Sequence, residues 1–331
     1  MKNLGKTDLK VNIIGCGGIP IQRITQQEVN DMIQVMIKKG VNFIDTARGY
    51  TNSEELFGKA ICQCREKFVL ATKSMARDYL GMKNDIEKSL ENLKTTYIDL
   101  YQLHNVSVNE DYSGALRALE EAKTIGKIKH IGITTHSFEM LEKIVYENKF
   151  ETIQFPYNIV ETKAEKIFEE ARKKGIGVIV MKPLAGGAIN DAKLALKYIL
   201  SNKNIDVVIP GMESVEQVIE NTSALMENIT IADEKKIDKI KEELGNDFCR
   251  RCGYCMPCSV GINIPFSFLC EGYYTRYNLK EWAFARYNAM NVDPKQCVEC
   301  GGCEQRCPYS LKIIKKLKKS GRYNGKTQKL V

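Results

Sequence analysis

No apolar run in the chain reaches the ~18–20 residues that a helix needs to cross a bilayer, so a helical membrane protein is excluded. The opening segment, MKNLGKTDLKVNIIG, is alternating and polar and lacks the apolar stretch of a secretory signal. Both absences lead to the expectation of a cytoplasmic protein with no membrane partner. Acidic residues are missing altogether from 311–331, which holds Lys312, Lys315, Lys316, Lys318, Lys319, Arg322, Lys326 and Lys329. Those cations account for the whole formal charge of +8, so residues 1–310 are neutral. A basic tail of this kind is either a solvated terminal helix that aids solubility or a dock for an acidic redox partner of the ferredoxin or flavodoxin type. A nucleic-acid partner is not expected.

Cysteine is scarce over most of the chain and then abundant. Only Cys16, Cys62 and Cys64 precede residue 249, and the other nine fall between 249 and 307. A reducing cytosol keeps thiols free, which argues against a disulfide framework. The shift in composition marks a domain boundary. At 331 residues and 44% hydrophobic content, the chain can hold one large core and a smaller second domain. The expected division is 1–230, a connecting part at 231–245 that holds the charged helix ADEKKIDKIKEELG (232–245), and a cysteine-rich domain with its basic tail at 246–331.

Within the first part, a short apolar run followed by a helical pattern recurs eight times. The strand candidates are VNIIGCGG (11–18), NFIDTA (42–47), FVLATK (68–73), IDLYQLH (98–104), IKHIGITT (128–135), TIQFPYN (152–158), GVIVMKP (177–183) and IDVVIPG (205–211). Amphipathic stretches lie between and after them at 28–39, 86–93, 115–125, 138–146, 164–174, 191–200 and 215–226. Several end in Lys or Gly, as at Lys39-Gly40, Gly126 and Lys174-Gly175, the residues that stop helices. Strands alternating with helices demand a parallel sheet covered by helices. Eight units in about 220 residues predict a closed (β/α)₈ barrel of the TIM type.

Chemistry in such a barrel sits where the strands end, because those ends converge on one face. Asp45 ends the second strand candidate and Tyr50 follows it in the loop; Lys73 ends the third and His104 the fourth. A buried lysine there needs a counter-charge, which Asp45 on the neighbouring strand would supply. A phenol is ordinarily too weak an acid at neutral pH, but an ammonium beside it favours the phenolate, so Tyr50 next to Lys73 would donate a proton readily. His104 would orient a carbonyl or share that proton. The segments FIDTARGYTNSEELFGKAI, VLATKS and IDLYQLH resemble the catalytic segments of the aldo-keto reductases, and IGITTHS, QFPYN, MKPLAGG and VIPGMESVEQVIEN follow in that family's order. The resemblance covers roughly residues 1–230 and implies that Asp45, Tyr50, Lys73 and His104 form the catalytic set of an NAD(P)-dependent enzyme. It further implies that Gln154 and Thr134 bind the nicotinamide carboxamide, that Gly18, Met181 and Leu184 line the cofactor, and that the 208–221 segment with Gly211, Gln217 and Asn221 cradles the adenosine end.

The chain departs from the family at the cofactor. Met181 stands where many members stack an aromatic ring on the nicotinamide, and Thr134-Thr135 where many have Ser-Asn. Gly211 and Gln217 stand where a Lys and an Arg often grip the 2′-phosphate of NADP, although Gln217 and Asn221 match a branch that still binds NADP. NADP and NAD both stay open.

The cysteine-rich part contains Cys249-x₂-Cys252-x₂-Cys255-x₂-Cys258 and Cys297-x₂-Cys300-x₂-Cys303-x₃-Cys307-Pro308. The second spacing is that of bacterial ferredoxins, in which three cysteines wrap one cubane and the fourth, before proline, reaches the other. Two [4Fe–4S] clusters are therefore expected. By that logic Cys249, Cys252, Cys255 and Cys307 hold one, and Cys297, Cys300, Cys303 and Cys258 the other. Structural zinc competes, but eight thiolates this close would crowd tetrahedral sites. Cys270 reads as a buried thiol in a helix. The insert between the arrays, with Phe266, Phe268, Tyr273, Tyr274, Tyr277, Trp282, Phe284 and Tyr287, resembles helical two-cluster ferredoxins, and its aromatics read as a core that shields the clusters from water.

The expected function is an oxidoreductase that interconverts a small carbonyl and its alcohol by hydride transfer with a nicotinamide. Its clusters would serve electron transfer or structure. No flavin motif is visible to convert hydride into single electrons. The alternative is an electron-transfer or docking module whose barrel no longer binds a dinucleotide.

Overall fold

The computed structural model describes residues 1–245, 249–250, 253–275, 279–307 and 309–320. Cys252 of the first array, Tyr277, Pro308 and the tail cations Arg322, Lys326 and Lys329 lie outside the described residues. Eight parallel strands run in sequence order around a barrel: β1 (Cys16–Gly17), β2 (Phe43–Asp45), β3 (Val69–Ser74), β4 (Ile98–Leu103), β5 (Ile128–Thr134), β6 (Thr152–Pro156), β7 (Gly177–Met181) and β8 (Val207–Ile209). The ring closes between the last strand and the first, through Gly15 N to Val208 O (2.9 Å), Gly17 N to Pro210 O (2.8 Å) and Val208 N to Ile13 O (2.8 Å). Glycine at 17 permits that seam, since a Cβ there would lie 2.9 Å from the Ile209 carbonyl oxygen.

The strand residues are buried almost without exception, because both faces of the sheet are covered. Leu4, Phe43, Val69, Ala71, Leu100, Ile179 and Val207 make a small inner core, while a larger one lies between the strands and the outer helices. Those helices are α1 (Gln26–Lys39), α2 (Ser53–Ile61), α3 (Tyr79–Asn92), α4 (Ser113–Thr124), α5 (Phe138–Glu147), α6 (Glu165–Lys173), α7 (Ala192–Leu200) and α8 (Val215–Ser223). Their ends follow local chemistry. Thr25 and Glu28 form a reciprocal capping box on α1, and the side chains of Asp78, Ser137, Asp191 and Ser214 cap α3, α5, α7 and α8. Gly40, Gly126 and Gly175 take left-handed conformations just after α1, α4 and α6.

Two sequence expectations need correction. The run 11–18 is not one strand: Lys10–Val11 pairs antiparallel with Lys2–Asn3 in a hairpin, the Asn12 side chain bonds the Ile14 N–H and breaks the run, and the chain then enters the barrel through an isolated bridge of Ile14 to Val208 and the short strand Cys16–Gly17. The helix expected at 86–93 begins at Tyr79 under the Asp78 cap, and the helical pattern expected after the second strand, for which the sequence reading set no bounds, is α2.

The chain divides into two compact units, Met1–Ala185 with Asp191–Glu234, and Gly186–Asn190 with Lys235–Val331. Helix α9 (Ile231–Gly245) carries the chain from the first to the second. The second contains α10 (Ile264–Thr275), α11 (Lys280–Asn288), α12 (Gly302–Gln305) and α13 (Ile313–Ser320). Its core gathers Ile262, Ile264, Phe268, Leu311, Ile313 and Leu317 around the cysteines. Cys270 is buried in α10, and burial pushes its thiol up to about 11. Among the described residues no helix is long and apolar enough to cross a membrane.

At the amino-terminal end of β5, His130 sits between two carboxylates, with Nδ1 2.6 Å from Glu151 and Nε2 2.7 Å from Asp8. Burial works against its charge, but Glu151 and Asp8 outweigh it and raise the imidazole above its ordinary 6.5. The stabilisation is therefore fully present below that value and is lost as pH rises through the raised one. Asp8 is exposed, so the effect is small, about 1 kcal/mol. Urea unfolding of the wild type should show stability falling across this window, and His130→Gln should flatten the profile.

Candidate functional site

Every polar residue expected at the barrel mouth lies at the carboxyl end of a strand or in the loop beyond it. Asp45 ends β2, Lys73 is the penultimate residue of β3, and His104 directly follows β4. Tyr50 lies in the loop between β2 and α2. Lys73 donates from Nζ to Asp45 Oδ2 at 2.5 Å and to the Thr46 carbonyl at 2.9 Å, and both members of the ion pair are buried. The ammonium lies 5.1 Å from the centre of the Tyr50 ring, and that ring meets His104 edge-on with centroids 5.9 Å apart. All four side chains thus gather at one end of the barrel.

Burial pushes the Asp45 carboxyl above its ordinary value, opposed by the Lys73 charge, and pushes the Lys73 ammonium below its own, opposed by Asp45. Low dielectric penalises both charges and also strengthens their attraction. Beneath the pair, Cys16 is driven up to about 12, first by burial and then by the Asp45 charge, which leaves an inert thiol.

Sequence reasoning missed the supports of this group. Gln102 donates to Asp45 Oδ1 at 3.3 Å; strand alternation puts it on the face of His104, two residues on, and that was the available signal. Glu54, in α2, is buried and accepts from Arg48 (2.5 Å), Thr72 (2.7 Å), Ser89 (2.9 Å) and Asn92 (3.2 Å). Arg77 donates to the His104 carbonyl at 2.9 Å and so ties the loop after β3 to the end of β4.

Most of the residues expected at the cofactor lie on the barrel strands or just beyond their carboxyl ends, and Gln217 and Asn221 lie on α8. Gly18 follows β1 and is buried; its N–H donates to the Asp45 carbonyl at 2.8 Å, and a Cβ there would meet that oxygen at 2.9 Å. Thr134 ends β5 and accepts the Asn105 N–H at 2.7 Å. Gln154 on β6 hydrogen-bonds Asp45, while its Oε1 is buried with no hydrogen-bond partner among the described residues. Met181 ends β7 and Leu184 lies just beyond it, both partly buried. Gly211 is exposed beyond β8 and bridges Gly17. On α8, Gln217 accepts the Glu213 N–H at 2.8 Å, and Asn221 is buried. Arg23, in the loop after β1, is ion-paired with Glu213.

In the second unit, Cys258, Cys297, Cys300 and Cys303 line one cavity of about 150 Å³ together with Ser259 and Arg306. The Ser259 hydroxyl lies 3.4 Å from Cys300 Sγ and, with the Gly302 N–H, holds that thiol below its ordinary value; burial raises Cys303. Cys249, Cys255 and Cys307 pack in the same core without lining that cavity.

Residues 13–193 match the model of the aldo/keto reductase family, and residues 248–312 match that of a 4Fe-4S dicluster domain. Among curated proteins, the chain is 27% identical to an L-galactose dehydrogenase of Arabidopsis thaliana, over 69% of this chain and 88% of that protein. It is 25% identical to an NADH-specific methylglyoxal reductase of Escherichia coli, over 73% of this chain and 98% of the other. Among solved structures it is similar to an aldo-keto reductase from Bacillus halodurans in its holo form, at 25% identity and a TM-score of 0.65, covering 72% of this chain and 95% of that one. An eight-stranded parallel barrel with its polar mouth, and a family match across most of that barrel, lead to one conclusion: this chain is an oxidoreductase and belongs to the aldo/keto reductase family.

Proposed function

We propose that the protein interconverts a small aldehyde or ketone and its alcohol with a nicotinamide dinucleotide, using Asp45, Tyr50, Lys73 and His104. The observation that carries this reading is their gathering at one barrel end, with the ammonium of a buried ion pair 5.1 Å from the Tyr50 ring. In reduction, Tyr50 gives its hydroxyl proton to the carbonyl oxygen. The Lys73 ammonium stabilises the phenolate that remains, and Asp45 with the Thr46 carbonyl fixes where that ammonium points. His104, edge-on to Tyr50, orients the carbonyl. When bound, the nicotinamide supplies the hydride. The buried Oε1 of Gln154, without a hydrogen-bond partner among the described residues, fits the amide N–H₂ of its carboxamide, and Thr134, Gly18, Met181 and Leu184 would line the bound cofactor.

The segment 208–221 carries no Lys or Arg, and Arg23 beside it is already engaged by Glu213. The charge-assisted grip on a 2′-phosphate is therefore missing, which supports NAD over NADP; Gly211, Gln217 and Asn221 would then face the adenosine ribose. The NADH preference in the name of the Escherichia coli relative agrees.

The dicluster match and the eight cysteines support two [4Fe–4S] clusters, one on Cys258, Cys297, Cys300 and Cys303, the other on Cys249, Cys252, Cys255 and Cys307. Bound there, they would supply one-electron exchange, for which an acidic carrier protein is the natural partner of the lysine-rich α13. A cytoplasmic setting keeps such thiols reduced. The functional parts are then 1–230, the connecting 231–245, and 246–331.

Fluorescence titration of the anaerobically handled protein with NADH and NADPH tests the core of this reading. NADH should bind about tenfold more tightly, the factor given by ~1.4 kcal/mol of lost phosphate contact. Binding of neither would leave an iron–sulfur electron-transfer module on a silent barrel.

A further inference from the structure

Arg306 has no place in the chemistry above, yet its guanidinium spans both cysteine arrays. It stands next to Cys307 in the second array and donates to three backbone carbonyls of the first: Tyr254 (3.3 Å), Cys255 (3.0 Å) and Pro257 (2.8 Å). It also lines the cavity formed by Cys258, Cys297, Cys300 and Cys303. Of the nearby carboxylates, Glu299 pairs with Lys318 at 2.7 Å, while Glu304 accepts the Ile314 N–H at 2.9 Å and its charge acts on Cys303, partly offsetting that of Arg306.

We propose that Arg306 is a positioning and redox-tuning residue: its fork fixes the Cys255–Cys258 loop against the second array, and its charge raises the reduction potential of the cluster held in that cavity. The inference rests on the two-cluster reading. A cubane with four thiolate ligands carries about −2 when oxidised and about −3 after accepting one electron from an external donor such as reduced viologen, with no proton or bond exchanged. A fixed cation stabilises the more negative form more strongly, so it favours uptake of the electron. The Ser259 hydroxyl, 3.4 Å from Cys300 Sγ, would act in the same sense by donating to a ligating thiolate. Because Arg306 is exposed, solvent screens it and the effect is moderate.

The test is a spectroscopic redox titration of the full chain, with acid-labile sulfide counted in every preparation. The wild type should hold about eight sulfides, four for each [4Fe–4S] cubane. A wild type without sulfide would refute the clusters themselves. With sulfide intact, Arg306→Gln should make one-electron reduction of one cluster about tenfold less favourable, about 59 mV for a single electron. Arg306→Lys, which keeps the charge and loses the fork, should retain most of the wild-type potential. An unchanged potential in Arg306→Gln, or an equal fall in both variants, overturns the tuning role. If Arg306→Gln loses its sulfide, Arg306→Lys decides: near wild-type potential upholds the proposal, and a lowered potential or lost sulfide refutes it.

Discussion

Tyr50→Phe should lower carbonyl reduction by about 10²–10⁴-fold, the usual share of a positioned acid, while cluster absorbance and NADH binding stay as they were. The substitution removes one oxygen and leaves a ring of the same shape, so the edge contact with His104 and the ammonium at 5.1 Å survive. Tyr50 is only partly buried at the barrel mouth, and unfolding stability should move little. Steady-state kinetics with NADH and a panel of small aldehydes provides the measurement. Activity within tenfold of the wild type would mean that the proton comes from elsewhere, with His104 the neighbouring candidate. A loss confined to KM would instead place Tyr50 in substrate binding.

Much of this arrangement was legible in the letters because barrel strands are apolar, and a charge at the end of such a run is conspicuous. Asp45 after Phe43-Ile44 and Lys73 after VLAT stand out in this way, and a parallel barrel brings successive strand ends to one face. The supports were hidden for different reasons. Glu54 in SEELFGKAI reads as a solvated helix acid, and only the packing of α2 on α3 shows it buried among Arg48, Thr72, Ser89 and Asn92. The Arg306 contacts are all to backbone carbonyls, which every residue possesses, so no side-chain pattern marks them. The hairpin of Lys2–Asn3 with Lys10–Val11 uses two residues per strand, too few for a period to register.

Lys73→Met should destabilise the protein by about 3–5 kcal/mol and abolish reduction, because removing one partner strands the other charge in a low-dielectric interior. Asp45 would keep only Gln102 and Gln154 as neutral partners. Its carboxyl, already raised by burial, would rise further once the opposing ammonium is gone. For an acid whose folded value exceeds its unfolded one, stability is fully present below the unfolded value and is lost as pH rises through the folded one. The Lys73→Met penalty should therefore be smallest in acid and full at neutral pH, as denaturant melts at pH 4 and pH 7 would show. The double variant Asp45→Leu/Lys73→Met should recover much of the loss, since burial already weighs against both charges in the wild type and an apolar pair carries no such cost. It should nonetheless remain inactive. Recovered stability without recovered activity would identify the ion pair as kept for the proton on Tyr50; a double variant as unstable as the two single losses combined would make it a structural link between β2 and β3.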